Sequence, residues 1–253
     1  MTRTRVLTDN SLDPNTSAGL RAPGWFAKWP TVGILLFLVG GLMFGALAYN
    51  VETKGPLLRW DTPLYREFHN EALKEPPRDI QTLTFGFFTG REVVEIISII
   101  LALYFLHKRF WPELWMLVLG VGGGAVLWYA LSRFFDRPRP PAQIGIAVSD
   151  PSFPSGHVIT AVLFYGLLAY LFVPKMPSLF WKWVVWIAAI LMMLFIGFSR
   201  IFLGGHYLSD VLAGYALGIA WAGLVYTLIE RLSMRRQTPS FKQSTGAFTR
   251  EYK

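Results

Sequence analysis

The sequence predicts an all-α, polytopic membrane protein with six transmembrane helices and with both termini in the cytoplasm. Three observations lead to this prediction. Of the 253 residues, 53% are hydrophobic and only 16% are charged, whereas soluble proteins average about 25% charged residues. The mean hydropathy is positive, at +0.39, and the apolar residues fall into six stretches. This composition excludes a disordered chain, a collagen-like chain and an ordinary cytosolic domain.

The six apolar stretches define the predicted spans. A transmembrane helix needs about 20 apolar residues, with a range of roughly 17–25, and several of the stretches are slightly short of that length. The predicted spans are Thr31–Tyr49, Val93–Leu106, Leu114–Leu131, Val158–Val173, Trp183–Phe198 and Val211–Ile229. The alternative, buried helices of a soluble protein, is disfavoured by six such stretches in a short chain. The first stretch is longer than the apolar part of a signal peptide, so we interpret it as a retained anchor.

The distribution of basic residues predicts the orientation. With a cytoplasmic N-terminus, the inner segments carry 14 basic and five acidic residues, and the outer segments carry 10 basic and 11 acidic ones. The positive-inside rule therefore favours cytoplasmic termini. The basic residues border the spans, which makes the bilayer the expected partner and argues against nucleic acid. The chain has no cysteine, which excludes disulfides and a thiol nucleophile.

These spans divide the chain into three predicted parts. Residues 1–28 form a cytoplasmic tail, residues 29–234 form the six-span domain, and residues 235–253 form a second cytoplasmic tail. An outer loop at about 50–91 is predicted to contain an interfacial amphipathic helix broken at Pro76-Pro77, with a solvated linker as the alternative. Glycine pairs four residues apart favour close helix packing; they are Gly41/Gly45, Gly120/Gly124 and Gly214/Gly218.

Three polar clusters lie at the predicted outer ends of the helices, where ionisable groups are costly and usually functional. They are Ser132–Pro140, Phe153–His157, and a group of Ser199, Arg200, His206 and Asp210. The alternation of six spans places all three on one side of the bilayer.

The first two clusters are suited to a phosphate group. The guanidinium forks of Arg139 and Arg200 match phosphate oxygens, whereas Arg137 is equally well explained as a contact to anionic lipid headgroups. The second cluster precedes a predicted helix. An anion can rest there on the Ser155 hydroxyl and the amides of Gly156 and His157, and glycine permits close approach of a ligand. A capped helix with a surface histidine is the alternative.

The third cluster is suited to nucleophilic chemistry. His206 and Asp210 are four residues apart at the start of a predicted helix, and therefore share one face. A carboxylate can hold one imidazole nitrogen and leave the other nitrogen basic. The alternative is a His–Asp pair that only caps the helix.

Together, the clusters resemble the signature of the type 2 phosphatidic acid phosphatase superfamily, which reads KxxxxxxRP, PSGH and SRxxxxxHxxxD. The second motif is matched at Pro154–His157, and the third is matched in full from Ser199 to Asp210. The first is matched at Arg139-Pro140, but Ser132 occupies the lysine position. Arg133, one residue later, is the nearest candidate substitute for that lysine.

The resemblance implies a role for each matched residue and a four-helix-type catalytic bundle. His206 would attack phosphorus and form a phosphohistidine, Asp210 would orient His206, and His157 would protonate the leaving oxygen. The phosphoryl oxygens would be held by Arg139, Arg200, Ser155 and Gly156, with Arg133 as a further candidate. No cofactor and no metal would be required.

The predicted function is a membrane phosphatase that acts on a lipid phosphate or pyrophosphate at the outer leaflet of a bacterial plasma membrane. Undecaprenyl pyrophosphate is the preferred substrate. The alternatives are phosphatidylglycerophosphate, phosphatidic acid and phosphorylated lipid A, transfer of the phosphoryl group to a second lipid, or a non-catalytic membrane protein that retains the site.

Overall fold

The computed structural model describes residues 30–74, 91–141 and 150–237, and within these ranges it is helical and contains no β-strand. The α-helices are α1 (Pro30–Thr53), α2 (Asp61–Lys74), α3 (Arg91–His107), α4 (Trp111–Trp115), α5 (Gly123–Phe135), α6 (Gly156–Phe172), α7 (Leu179–Phe202) and α8 (Leu208–Gln237). A π-helical segment, Met116–Gly122, joins α4 to α5, and short 3₁₀ helices occupy Pro56–Trp60 and Val173–Lys175. The predicted all-α membrane fold is confirmed.

Five helical segments are long and apolar enough to cross a membrane, among the described residues. They are Thr31–Thr53, Trp111–Phe135, Gly156–Lys175, Leu179–Phe202 and Leu208–Leu232. The remaining predicted span corresponds to the shorter apolar helix Val93–His107. At 1.5 Å per residue this helix rises about 22 Å, which is less than the roughly 30 Å of a bilayer core. The predicted count of six spans is therefore not confirmed.

Helices α6 and α8 form the centre of the bundle, and glycines bring their backbones together. A Cβ atom on Gly214 would lie 2.9 Å from the Ser155 carbonyl oxygen, and one on Gly218 would lie 2.9 Å from the Val162 Cβ. This pair packs as predicted, and Gly124 likewise meets the side chain of Leu163.

Helix α1 packs along α8 through glycines other than those predicted. A Cβ atom on Gly40 would lie 2.6 Å from the Ala216 carbonyl oxygen, and one on Gly223 would lie 2.7 Å from the Gly33 carbonyl oxygen. By contrast, Gly41 and Gly45 have no neighbouring atom of the described residues within 4 Å of that position. The prediction for this pair is wrong, because it lies on a face of α1 that turns away from α8.

The segment between α1 and α3 contains a helix where an interfacial helix of an outer loop was predicted, and its position relative to the membrane stays a prediction. Helix α2 lies within this segment and is anchored by aromatic contacts to α7 and to the segment before α8. The ring of Phe68 is 5.5 Å from that of Phe198, and the ring of Tyr65 is 6.1 Å from that of Tyr207. The predicted break at Pro76-Pro77 and the tail at residues 1–28 lie outside the described residues, whereas α8 continues to Gln237, beyond the predicted start of the second tail.

Candidate active site

The three polar clusters converge where α5 and α7 end and where α6 and α8 begin. The backbone amide of Ser155, before α6, donates to the carbonyl of Asp210 on α8 at 3.0 Å. The Nη1 of Arg139, after α5, donates to the Gly205 carbonyl at 2.8 Å. Residues far apart in the sequence therefore meet at one end of the bundle, as the alternation of spans predicted.

His206 is buried at the centre of this convergence, with 2% of its surface exposed. Its Nδ1 lies 2.8 Å from the carbonyl oxygen of Ser152, and a carbonyl can only accept, so Nδ1 carries the proton. Its Nε2 lies 3.2 Å from Nη1 of Arg139, and a guanidinium can only donate. The imidazole is therefore held with its Nε2 lone pair unprotonated and directed at the guanidinium of Arg139, from which it accepts.

The electrostatic environment keeps His206 neutral. Burial lowers the pKa of the imidazole and outweighs the opposing effect of the Asp210 carboxylate, while the positive charge of Arg139 lowers it further. A neutral imidazole retains the lone pair that a nucleophile needs.

Asp210 does not make the hydrogen bond to His206 that the sequence predicted. Its Oδ2 lies 3.7 Å from Nδ1 of His206 and accepts instead from the backbone amide of Tyr207 at 2.9 Å. The nearer partner of Nδ1 is the Ser152 carbonyl, which the sequence analysis missed because a backbone acceptor has no residue signature. Two hydrogen bonds fix Ser152: its amide donates to the Arg137 carbonyl at 2.8 Å and its hydroxyl to the Pro138 carbonyl at 3.1 Å.

Arg137, for which sequence reasoning left a lipid-headgroup contact open, is largely buried and bound to two carboxylates. Its Nη1 donates to Asp210 and to the hydroxyl of Ser209, and its Nη2 donates to Asp61 at 2.9 Å. Its guanidinium also lies over the ring of Tyr207, 4.6 Å from the centroid. Burial opposes the charge, but the carboxylates of Asp210 and Asp61 outweigh it and raise the pKa of Arg137. Asp61 was not among the predicted site residues.

Arg139 is fixed by backbone carbonyls, with Nε donating to Asp150 at 2.7 Å and Nη1 to Gly205 at 2.8 Å. Burial lowers the pKa of Arg139, against the opposing charges of Asp210 and Asp150. Because an arginine remains protonated in proteins, this side chain presents a positioned cation beside Nε2 of His206.

Ser155 occupies the N-cap position of α6, yet its hydroxyl makes no capping hydrogen bond. Its Oγ is buried and has no hydrogen-bond partner among the described residues. A buried hydroxyl without a partner costs free energy, so this atom is available to a ligand. Gly156 follows, but its lack of a side chain serves a different purpose from the predicted one: a Cβ atom there would lie 2.6 Å from the Trp128 ring.

His157 lies near His206 through its side-chain ring, whereas Arg200 contacts His206 through its backbone carbonyl. The His157 ring lies 6.4 Å from the His206 ring, measured between centroids. The Arg200 carbonyl accepts from the amides of Gly205 and His206 and so shapes the turn before α8, while its Nε donates to the hydroxyl of Ser199 at 3.2 Å.

Ser132 and Arg133, where the sequence departs from the first motif, make contacts with residues other than His206. Ser132 is buried, and its hydroxyl donates to the Tyr129 carbonyl within its own helix. Arg133 is about half exposed and forms an ion pair with Asp150 at 2.7 Å, with its guanidinium over the Tyr129 ring. The expectation that Arg133 replaces a phosphate-binding lysine gains no support from these contacts.

Taken together, the site offers a neutral imidazole nitrogen, a fixed guanidinium, an unpaired hydroxyl and a second histidine. These groups suit attack on a tetrahedral anion such as a phosphate group. Within the described ranges, no group of three or more His, Cys, Asp or Glu side chains is arranged to hold a metal ion.

Comparison with known proteins agrees with this chemistry. The PAP2 superfamily profile matches residues 113–234. The chain is 34% identical over 146 residues to phosphatidylglycerophosphatase B of Bacillus subtilis. This alignment covers 57% of this chain and 71% of the relative. It is also 28% identical over 145 residues to an undecaprenyl-diphosphatase of Sulfolobus acidocaldarius. That alignment covers 56% of this chain and 66% of the relative.

A solved structure shows the same fold. It is the crystal structure of a transmembrane PAP2-type phosphatidylglycerolphosphate phosphatase from Bacillus subtilis. The superposition has a TM-score of 0.64 with 26% sequence identity, and it covers 83% of this chain and 98% of the other.

Proposed function

We propose, on the premise that the chain belongs to the PAP2 superfamily, that it removes phosphate from a membrane lipid through a phosphohistidine on His206. The similarity to PAP2 lipid phosphatases and the long apolar helices identify the protein as a multi-pass membrane phosphatase that acts on lipid phosphates. The observation that carries the proposal is the position of Nε2 of His206, 3.2 Å from the Arg139 guanidinium.

The proposed reaction has two steps. Nε2 of His206 attacks phosphorus, the bond from phosphorus to the lipid-side oxygen breaks, and His157 transfers a proton to that oxygen. Water then attacks the phosphohistidine and transfers a proton to His157 while the bond from phosphorus to Nε2 breaks. Inorganic phosphate leaves, and both histidines return to their starting states.

The remaining residues bind and orient. Arg139, Arg200, the Ser155 hydroxyl and the Gly156 amide hold the phosphoryl oxygens and stabilise the charge that develops in the transition state. Asp210 stabilises the positive charge that the His206 ring acquires on attack. The unpartnered Ser155 hydroxyl supports this proposal, because a phosphate oxygen would satisfy it.

The proposed site faces the exterior of a bacterial plasma membrane. The support is the excess of basic residues in the segments that the six predicted spans assign to the cytoplasm, because the positive-inside rule relates such an excess to orientation. A site at the helix ends lets the lipid chain remain in the bilayer while the headgroup reaches the arginines.

Two substrate classes have specific support. Phosphatidylglycerophosphate is favoured by the similarity to phosphatidylglycerophosphatase B, whose length the alignment covers to 71%. A prenyl pyrophosphate such as undecaprenyl pyrophosphate, the preferred substrate from the sequence, is favoured by the similarity to an undecaprenyl-diphosphatase.

A substrate panel on the detergent-purified protein tests the proposal and separates the two classes. Phosphate release is measured with phosphatidylglycerophosphate, phosphatidic acid, phosphorylated lipid A and undecaprenyl pyrophosphate, with and without an acceptor lipid. We expect release from at least one of them, and loss of that release in His206→Ala. His107→Ala, which changes an exposed histidine at the end of α3, is the matched control and should retain full activity.

Two results would contradict the proposal. Equal turnover in His206→Ala would exclude this residue as the nucleophile. A product found only on the acceptor lipid, with no free phosphate, would establish transfer rather than hydrolysis.

A further inference from the structure

We propose that Asp61, acting through Arg137, is a positioning residue that holds Asp210 in its working orientation at the candidate site. The inference rests on the proposed function, and it adds a residue from the outer-loop helix α2 to the machinery. Asp61 lies 52 positions before the start of the region that the PAP2 profile matches, and none of the three signature motifs contains it.

The contacts form a closed set at the start of α8. The Asp61 Oδ2 accepts from Nη2 of Arg137 at 2.9 Å and from the Ser209 hydroxyl at 2.6 Å. Its Oδ1 accepts from the Ser209 amide at 2.9 Å. Arg137 uses its other terminal nitrogen, Nη1, for Oδ1 of Asp210. The two carboxylates therefore share one guanidinium, one on each terminal nitrogen.

Because the two carboxylates share the guanidinium, the second oxygen of Asp210 contacts donors other than Arg137. Nη1 of Arg137 donates to the Ser209 hydroxyl and, of the two Asp210 oxygens, to Oδ1 alone. Oδ2 is therefore left for the Tyr207 amide at 2.9 Å and lies 3.7 Å from Nδ1 of His206. A guanidinium without another acceptor binds both oxygens of a carboxylate in a parallel, bidentate pair. Asp61 prevents that pairing by occupying Nη2.

Replacing Asp61 by Asn would therefore change the orientation of Asp210 and the charge around it. One amide oxygen cannot accept from Nη2 of Arg137 and from both donors of Ser209 as the carboxylate does. Nη2 is then held less strongly, and Arg137 would turn toward Asp210 and draw Oδ2 away from Tyr207 and His206. The local charge would change as well, from two carboxylates against one guanidinium to one against one. Less negative charge would then face the imidazole of His206 when it becomes positively charged on attack.

The burial of these groups supports a role beyond anchoring α2. The side chain of Asp61 is 4% exposed and that of Asp210 is fully buried. Buried charges interact more strongly than exposed ones because water screens them less. Anchoring of α2 is already provided by the aromatic contacts of Tyr65 and Phe68.

The first test compares two isosteric changes on the same helix in the purified, full-length protein. Asp61→Asn removes the charge that binds Arg137, and Glu67→Gln removes a charge from an exposed position on α2. We expect kcat to fall about tenfold in Asp61→Asn with KM changed less than about twofold, because Arg139 and Ser155 are untouched. Glu67→Gln should match the wild type. Unchanged kcat in Asp61→Asn, or a loss that lies only in KM, would overturn the proposal.

The second test asks whether Asp61 acts through Arg137. Arg137→Lys keeps the charge but lacks the fork that reaches both carboxylates, so kcat should fall in this variant as well. In the double variant Asp61→Asn/Arg137→Lys, the loss should equal that of Arg137→Lys alone. Losses that multiply would show that the two residues act independently and would contradict the proposal.

Two controls keep the outcomes distinct. Folding of Asp61→Asn is judged by gel filtration in detergent. If this variant does not fold, Arg137→Lys is tested in its place, and we again expect a lower kcat with little change in KM. His206→Ala is measured in parallel. Activity that persists in His206→Ala overturns the proposed function, whereas activity lost there but unchanged in Asp61→Asn overturns only this inference.

Discussion

The candidate site and the contact between α1 and α8 are fixed by opposite means. Around His206, buried charged and polar side chains bind one another and backbone carbonyls across four helix ends. Between α1 and α8, Gly40 and Gly223 let the backbones approach, and the atoms nearest to these glycines belong to backbone groups and to apolar side chains. The first region depends on directional bonds between specific side chains, and the second depends on the absence of side chains.

This difference predicts different consequences of mutation. In the site, a change that preserves volume but removes a charge or a lone pair should abolish chemistry with little effect on stability. At the helix contact, a change that adds volume should lower stability and leave the chemistry of the folded fraction intact. The four predictions below test this separation, from the largest expected effect to the smallest.

His206→Ala should produce the largest functional loss. Removing a nucleophile lowers kcat by about 10³-fold or more, and we expect phosphate release to fall to that extent. The thermal unfolding midpoint in detergent should fall by a few degrees only, because the lost imidazole leaves a small cavity and unpairs the Ser152 carbonyl but leaves the packing between the helices in place. A variant that unfolds at a much lower temperature would show that the two regions are not separable in this way.

Gly223→Leu should produce the largest loss of stability. A Cβ atom at this position would lie 2.7 Å from the Gly33 carbonyl oxygen, so α1 and α8 must move apart, and overpacking of this kind costs about 1–3 kcal/mol. The matched control is Gly41→Leu, because no atom of the described part of the chain lies within 4 Å of that position. Unfolding in detergent followed by circular dichroism checks both variants. Equal midpoints for the two would contradict the assigned α1–α8 contact.

The pH dependence of kcat/KM should reflect the burial of His206. Burial lowers the pKa of this imidazole, so protonation, which removes the nucleophile, occurs only below the ordinary value of about 6.5. Activity should therefore persist as the pH falls through that value and be lost at lower pH. If His157 is the general acid, as we propose, the opposite limb should report the loss of its proton, giving a bell-shaped profile. An acidic limb centred above pH 6.5 would contradict a buried, neutral His206.

Arg133→Ala should have the smallest effect. Its ion pair with Asp150 is about half exposed, and exposed pairs contribute less than about 1 kcal/mol. We expect KM and kcat to change less than about threefold, in contrast to a large loss in Arg139→Ala, which is measured alongside. A large rise in KM for Arg133→Ala would instead establish that Arg133 contacts the phosphate and replaces the missing lysine of the first motif.

The sequence was sufficient for the parts of the molecule that depend on pattern. Apolar stretches predicted the helical membrane fold, and the three clusters predicted which side chains would meet at one end. The outer-loop helix was also predicted. The span Val93–Leu106 stays a prediction, because the apolar helix found there is shorter than the five segments that are long enough to cross a membrane.

The sequence was insufficient where the partner is a backbone group or lies far away in the chain. The Ser152 carbonyl, which holds Nδ1 of His206, could not be read from residue identity. Asp61 lies in a loop without a motif, and only the folded arrangement brings it to Arg137. The Gly41/Gly45 pair shows the converse limit, since the spacing of glycines does not reveal which face of a helix meets a neighbour.

Trapping of the covalent intermediate tests the central claim most directly. Purified protein is mixed briefly with a phosphate-labelled lipid substrate, quenched under alkaline conditions that preserve phosphohistidine, digested and mapped by mass spectrometry. We predict label on His206 in the wild type and none in His206→Ala. Substrate turnover in the wild type with no label on His206, or with label on another residue, would contradict the account.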